Sequence, residues 1–211
     1  VIMMLFLIGE RVSSKSEIAG SRFCAVCGDT EQFSHVTETN YFCLFGFPLL
    51  PTDKLADYYR CDRCSNAYQD LVAEAPSCVS VLQRTLSYIQ LGYGQSQQKA
   101  LVQDISLKLC GFDYSQEEMR KAAFQLETGD SQYLEYLRQA SSRINSQGKV
   151  QIIEAAFLMT YVCCEIQYED RLRVNLIGNA LGVSLEFVEY AVQKVRQNSY
   201  YGVRRLVPMK S

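Results

Sequence analysis

The chain has 211 residues, of which 48% are hydrophobic, and its 21 basic and 23 acidic side chains leave a formal charge of −2. A chain of this length can bury one good core and a small accessory module, and its balanced charge does not indicate a nucleic-acid-binding protein. The apolar start, residues 1–8, is shorter than the roughly 18 residues that span a bilayer, and no signal-peptide cleavage site follows it. With an odd number of cysteines, nine, these features predict a cytoplasmic protein.

Two cysteine pairs dominate the first third of the chain. Residues 2–19 begin apolar and continue polar, which predicts a strand and then a turn region that leads to the first pair. Cys24 and Cys27 form that pair, Cys61 and Cys64 form the second, and both have the spacing C-x2-C. Two such pairs facing each other make the tetrahedral sulfur site that Zn²⁺ prefers. The spacing therefore predicts a structural zinc site with no open position for catalysis.

The segment between the pairs predicts a β-ribbon. Residues 41–51 are aromatic and contain a glycine and two prolines, which indicates a strand with a turn, and residues 58–60 supply the returning strand. We expect the apolar tip, residues 42–50, to pack against a neighbouring domain, and an exposed docking surface is the alternative. His35 is the one histidine, and because four cysteines fill the site we do not expect it to be a ligand.

From Ser65 onward, apolar residues recur every three or four positions, which predicts an all-α domain of six or seven helices. Residues 150–164 are apolar nearly all round, as is typical of a helix at the centre of a bundle. Three further helices are predicted before the central one: residues 79–93, stopped by Gly92 and Gly94; about 97–109, ended by Gly111; and one opened by the capping box Ser115 to Glu118. A fourth is capped by Asp130 and carries Tyr133, Leu134, Leu137 and Ile144. After the central helix, one helix covers Asp170 to Leu181, and a last one is capped by Ser184 and buries Phe187, Val188, Ala191, Val192 and Val195.

These elements predict an α+β chain that is mainly α. A small β zinc ribbon covers residues 1–70, a helical bundle covers 71–199, and a basic C-terminal tail covers 200–211.

Three stretches carry a likeness to known proteins: the core helix up to Cys164, residues 165–171 (EIQYEDR) and residues 177–184 (IGNALGVS). Through them, residues from about 97 to 197 resemble the TerB-like helical domain of the tellurite-resistance family. Residues from about 5 to 66 resemble the bacterial zinc-ribbon module that can precede such bundles. The resemblance implies a part in a stress-response or membrane-linked assembly.

The family pattern also implies carboxylates at helix ends that bind a divalent cation through oxygen. In this chain Cys163 and Cys164 stand where the family has aspartate and glycine, and Cys110 and Gly111 begin a weaker echo of the pattern. Because a soft thiol replaces a hard carboxylate, we expect no Ca²⁺ or Mg²⁺ site. We expect Cys163 and Cys164 to be small buried hydrophobes and not a redox pair. The acidic residues that would form the cation site implied by the resemblance are Glu117, Glu165, Glu169 and Asp170.

The sequence shows no catalytic constellation, because one histidine and no glycine-rich phosphate loop leave little for catalysis. The leading interpretation is a non-enzymatic binding or scaffold protein with a protein partner and no small-molecule substrate. One alternative is a divalent-metal sensor that uses the bundle carboxylates. Another is a zinc-ribbon nucleic-acid adaptor, in which basic and aromatic side chains near the C-terminus bind the phosphate backbone and stack on bases. Those side chains are Lys194, Arg196, Tyr200, Tyr201, Arg204, Arg205 and Lys210.

Overall fold

The computed structural model describes residues 8–44, 47–93, 99–126, 130–164 and 166–206. Within these ranges the strands are β1 (Ile8–Cys24), β2 (Asp29–Leu44), β3 (Phe47–Cys61) and β4 (Ala67–Tyr68). The helices are α1 (Ser77–Gly92), α2 (Lys99–Cys110), α3 (Gln116–Leu126), α4 (Asp130–Ser141), α5 (Ser146–Cys163), α6 (Tyr168–Ala180), α7 (Leu185–Gln197) and the 3-10 helix η1 (Ser199–Leu206). The predicted α+β architecture, with strands first and helices after them, is confirmed.

The chain divides into two units. The first unit extends to Pro76 and also contains Ser142–Asn145, and the second contains Ser77–Ser141 and the chain from Ser146 onward. The short segment Ser142–Asn145 belongs to the first unit because its backbone and side chains bond there. The Asp57 amide donates to the Ser142 carbonyl at 2.8 Å, and Asn145 Nδ2 donates to the Ser65 carbonyl at 2.8 Å.

The first unit is one antiparallel sheet with the strand order β1-β2-β3-β4. The prediction of a polar turn region before Cys24 is wrong, because β1 runs without interruption through residues 11–18, apart from a bulge between Ile18 and Gly20. Pairing with β2 satisfies the backbone groups on one side of this edge strand, and its polar side chains can face water, as is common in antiparallel sheets. Periodicity alone did not show this pairing.

Strand β3 changes character along its length. Near its C-terminal end, β3 pairs with β4 through Tyr59 and Arg60. Near its N-terminal end, β3 pairs with β2 alone among the described residues, and three register shifts interrupt that pairing. Pro48 and Pro51 lie in this edge portion, where a strand tolerates residues without an N–H group. Bulges of this kind increase the local twist of the strands.

The start of β3 also carries three exposed apolar side chains, which we call the arm tip: Phe47, Leu49 and Leu50. Their exposed fractions are 72%, 53% and 65%. Whether this apolar tip packs against a neighbouring domain stays a prediction. Two small clusters of buried side chains lie nearer the two cysteine pairs. One holds Cys24, Phe33, Cys61 and Tyr68, and the other holds Val36, Ala56, Tyr58 and Ala67.

In the second unit α5 is the central helix, as its sequence predicted. It is buried on all sides and packs against α1, α2, α6 and α7. Phe157 and the adjacent pair Ile152 and Ile153 are at most 1% exposed. A helix that is apolar nearly all round needs neighbours on every face. None of the described helices is long and apolar enough to cross a membrane.

Several helix ends follow the sequence signals. Ser115 and Glu118 form the predicted capping box, with the Ser115 amide donating to Glu118 Oε2 at 2.9 Å and the Glu118 amide donating to Ser115 Oγ at 3.3 Å. Ser184 Oγ accepts from the Phe187 amide at 3.3 Å. The start of the second helix at residue 97 lies outside the described residues.

The prediction that the fourth helix carries Ile144 is wrong. Helix α4 ends at Ser141. Ile144 is 1% exposed and belongs to the segment that joins the first unit.

Gly178 provides a test of the packing of α6 against α7. A Cβ added there would overlap Cγ2 of Val188, whose side chain is itself buried. Because overpacking a core costs stability, we expect Gly178→Ala to lower the free energy of unfolding by about 1–3 kcal/mol in urea denaturation. The control is Gly92→Ala, whose Cβ would lie at an ordinary 3.6 Å from Arg173 Nη1. Equal stability of Gly178→Ala and the wild type would contradict this packing.

Candidate metal centre

The four cysteines of the two C-x2-C pairs converge. The Sγ atoms of Cys24 and Cys64 are 3.7 Å apart, those of Cys27 and Cys61 are 3.9 Å apart, and all four lie within 4.8 Å of one another. A tetrahedron with metal–sulfur bonds of about 2.3 Å has sulfur–sulfur edges of about 3.8 Å. The sulfur atoms are therefore spaced to hold one metal ion.

The backbone forms the same turn at both pairs. The Gly28 amide donates to the Cys24 carbonyl at 2.8 Å, and the Ser65 amide donates to the Cys61 carbonyl at 2.9 Å. The residue after each second cysteine has a left-handed conformation, with φ of 70° at Gly28 and 60° at Ser65. Glycine adopts this conformation freely, whereas at Ser65 it carries strain. The repeated turn aims two sulfur atoms from each pair at one point.

The sheet brings the two turns together. Phe33 of β2 pairs with Cys61 of β3, and the Asp62 amide donates to the Gln32 carbonyl at 3.0 Å. On the other side, Cys24 ends β1 opposite Asp29. The first turn thus joins β1 to β2, and the second follows β3, so the antiparallel register fixes the distance between them.

The thiols differ in burial and in acidity. Cys24 and Cys61 are fully buried, whereas Cys27 and Cys64 are partly exposed. Burial opposes ionisation of Cys24, but hydrogen bonds from the Tyr68 hydroxyl and from backbone amides of the same turn outweigh it and lower the pKa of this thiol to about 7. Burial, followed by the neighbouring thiols, raises the pKa of Cys27. A metal ion must displace the protons that remain.

Polar groups around the cluster were missed by the sequence analysis. Tyr68 OH lies 3.2 Å from Cys24 Sγ, and Asn66 Nδ2 donates to Cys64 Sγ at 3.4 Å. Arg63 pairs with Glu31 at 2.5 Å. The one signal for Tyr68 was its place four residues after Cys64.

His35 does not belong to the cluster. Its Nε2 lies 2.5 Å from Asp57 Oδ1, and its ring lies 5.0 Å from the ring of Tyr59. Within the described ranges, the four cysteines are the one group of His, Cys, Asp or Glu side chains close enough to hold a metal ion.

Comparisons of the chain with protein-family models, with curated proteins and with solved structures found no match. The likeness to the TerB-like family therefore stays a prediction.

The acid of the second unit that the resemblance singles out, Asp170, is already fully bonded. The Tyr93 hydroxyl donates to Oδ1, while the Gln167 amide at 2.9 Å and Cys164 Sγ at 3.5 Å donate to Oδ2. Burial opposes ionisation of this carboxyl, but the hydrogen bonds, first from Tyr93 and then from Gln167, hold its pKa below the ordinary value. The carboxylate serves as the reciprocal half of the α6 capping box.

Among the described residues, Glu117 and Glu169 form no metal-binding group with Asp170. Glu117 is 62% exposed and pairs with Lys121 at 3.3 Å, Glu169 is exposed, and Glu165 lies outside the described residues. Helix α5 ends at Cys163 and α6 begins at Tyr168, so these are two separate helices.

The adjacent cysteines at the end of α5 form no disulfide bond. Cys163 is 7% exposed, and burial raises the pKa of its thiol to about 12. Cys164 Sγ also lies 3.4 Å from the Thr160 carbonyl oxygen. Both observations agree with thiols that fill space near the core.

Part of the basic C-terminal group is engaged inside the second unit. Lys194 Nζ pairs with Glu154 Oε1 at 2.8 Å, and the Tyr201 hydroxyl donates to the same oxygen at 3.0 Å. Glu154 is 1% exposed, so this contact lies in the core. Tyr200 stacks on Tyr161 with ring centroids 4.2 Å apart.

Tyr200 and Tyr201 are therefore part of the helical unit and not of a separate tail. Arg196 lies over the Phe157 ring, 5.7 Å from its centroid. The side chains of Arg204 and Arg205, and the whole of Lys210, lie outside the described residues.

We expect millimolar Ca²⁺ to leave the melting temperature of the full chain unchanged. Both oxygens of Asp170 accept hydrogen bonds already, and one carboxylate repays little of the cost of dehydrating the cation. Asp170→Asn should lower the free energy of unfolding by about 0.5–2 kcal/mol, equally with and without Ca²⁺, because the helix cap is weakened. A rise in melting temperature with Ca²⁺ that Asp170→Asn abolishes would contradict this.

Proposed function

We propose that this chain is a non-enzymatic binding or scaffold protein whose first unit is a zinc ribbon. The observation that carries the proposal is the sulfur spacing, with Sγ distances of 3.7 Å and 3.9 Å across the two cysteine pairs. Zn²⁺ suits four thiolates in a tetrahedral arrangement better than Ca²⁺ or Mg²⁺, which prefer oxygen ligands. With four protein ligands, such a site leaves no position for a substrate.

A metal ion would add stability to the first unit because the described part of its hydrophobic core is small. Among the described residues, the two clusters hold eight buried side chains, and two of these are the proposed ligands Cys24 and Cys61. So few buried side chains rarely stabilise an independent fold without a metal or disulfide bonds. A bound ion would join the turn between β1 and β2 to the turn after β3, and would thereby fix one end of all three long strands.

The arm tip supplies a binding surface for the partner. Phe47, Leu49 and Leu50 expose between 53% and 72% of their surface on strand β3, which is held at its other end by Cys61. Large exposed apolar side chains grouped in one place are typical of protein–protein contact sites. We propose a protein partner for this surface. The stress-response or membrane-linked assembly that the family resemblance implies, and a cytoplasmic location, are part of the same proposal.

The two alternatives have less support. A nucleic-acid adaptor would need Lys194 and Tyr201 free to meet phosphates and bases, but both bond to the buried Glu154. A divalent-metal sensor would need free oxygens on Asp170, and these accept three hydrogen bonds. Within the described ranges no group of acids forms a further metal site.

Site-specific photo-crosslinking in the native host tests the arm tip. A photoreactive phenylalanine analogue at Phe47 should give a discrete adduct with one partner protein, and Leu50→Ser should abolish that adduct because it removes apolar contact area. The same analogue at Phe124, which is 77% exposed on α3, is the matched control and should give none. Identical adduct patterns at the two positions, or no adduct at Phe47, would count against this docking surface.

A further inference from the structure

Tyr68 stands apart from the other buried tyrosines because its hydroxyl meets a sulfur atom of the candidate metal site. The side chain is fully buried, and its oxygen lies 3.2 Å from Cys24 Sγ. A buried tyrosine hydroxyl needs a hydrogen-bond partner, since an unpaired one costs free energy. The direction of this bond decides what Tyr68 does to the sulfur.

The chemistry of a loaded site fixes the direction. A cysteine that binds a metal does so as a thiolate, which carries no proton and can only accept. At 3.2 Å from Cys24 Sγ, the Tyr68 hydroxyl is then the donor.

The ring of Tyr68 is also held in place. It meets Phe33 edge-on with centroids 5.3 Å apart, and the Arg22 guanidinium lies 4.7 Å from its centroid and 4.6 Å from that of Phe33. Arg22 is anchored in turn, because Nη1 donates to the Asp70 carbonyl at 2.8 Å and Nη2 donates to the Ala73 carbonyl at 2.6 Å. A guanidinium over two aromatic faces restricts both rings.

We propose that Tyr68 is a positioning residue of the metal centre that donates a hydrogen bond to the Cys24 thiolate and thereby strengthens metal binding. This rests on the zinc ribbon proposed above. Four thiolates around a divalent ion carry a net charge of −2, and in a buried site this charge needs donors beyond the ligands themselves. Removing such an outer partner commonly lowers metal affinity about 10- to 100-fold.

The test compares Tyr68→Phe with Tyr59→Phe in the full chain. Tyr59 pairs with Tyr68 across β3 and β4, and its ring lies tilted against that of His35, with centroids 5.0 Å apart. Zn²⁺ affinity is measured by competition with a chromophoric chelator, and Co²⁺ serves as a spectroscopic probe. Tyr68→Phe should bind Zn²⁺ about 10- to 100-fold more weakly, and its sulfur-to-Co²⁺ charge-transfer band should move to longer wavelength because the sulfur becomes more electron-rich. Tyr59→Phe should change neither.

A Tyr68→Phe variant with wild-type affinity and an unshifted band would overturn the proposal, and so would equal losses in both variants. A wild type that binds neither ion would overturn the zinc ribbon itself, which is a different result. If Tyr68→Phe does not fold, the wild type loaded with ¹¹³Cd²⁺ decides. A slowly exchanging hydroxyl proton of Tyr68 coupled to ¹¹³Cd through Cys24 is expected. If the hydroxyl proton shows no coupling to ¹¹³Cd, or if no slowly exchanging hydroxyl proton is seen, the result contradicts the hydrogen bond.

Discussion

Four sulfur atoms of the first unit lie within 4.8 Å of one another. In a folded protein such thiols must either keep their protons or have their negative charges compensated. When the buried thiols are protonated, they lack the negative charge that a metal ligand needs. When they are ionised and no cation is present, they repel one another strongly because the local dielectric constant is low. A central divalent ion would resolve this conflict, because it can accept four thiolates at once. Both cysteine turns and the register of β2 against β3 bring the four atoms to one place.

Beyond the cysteines, the described part of the first unit buries few side chains. Its strands are long, with 17 residues in β1 and 15 in β3, but most of their side chains face water, and the arm tip is apolar and exposed. Apolar side chains that stay exposed add no burial energy to the unit, and such surfaces are typical of binding sites. The second unit is built differently. Helix α5 is buried on every face, and Glu154, the acid in its middle, pairs with the charge of Lys194 and accepts a hydrogen bond from the Tyr201 hydroxyl.

The sequence predicted what local patterns encode. The spacing of Cys24, Cys27, Cys61 and Cys64 predicted which side chains converge, and the apolar run at residues 150–164 predicted the central helix. Ser115 and Ser184 marked helix starts because a cap is a contact within three residues. Contacts between distant residues were not predictable in the same way. Nothing local shows that the polar part of β1 pairs with β2, or that Ile144 leaves α4 for the first unit. The hydroxyl of Tyr68 and the partners of Lys194 are equally invisible, since each depends on how separate elements pack.

Hydrogen exchange of the full chain before and after metal removal tests the central claim most directly. Freshly purified protein should contain about one Zn²⁺ per chain by elemental analysis. After a chelator removes the metal, the amides of β1, β2 and β3 should exchange rapidly, whereas those of α5 should stay protected. Full protection of β2 in metal-free protein, or purified protein that contains no zinc, would contradict a sheet that depends on a metal held by four thiolates.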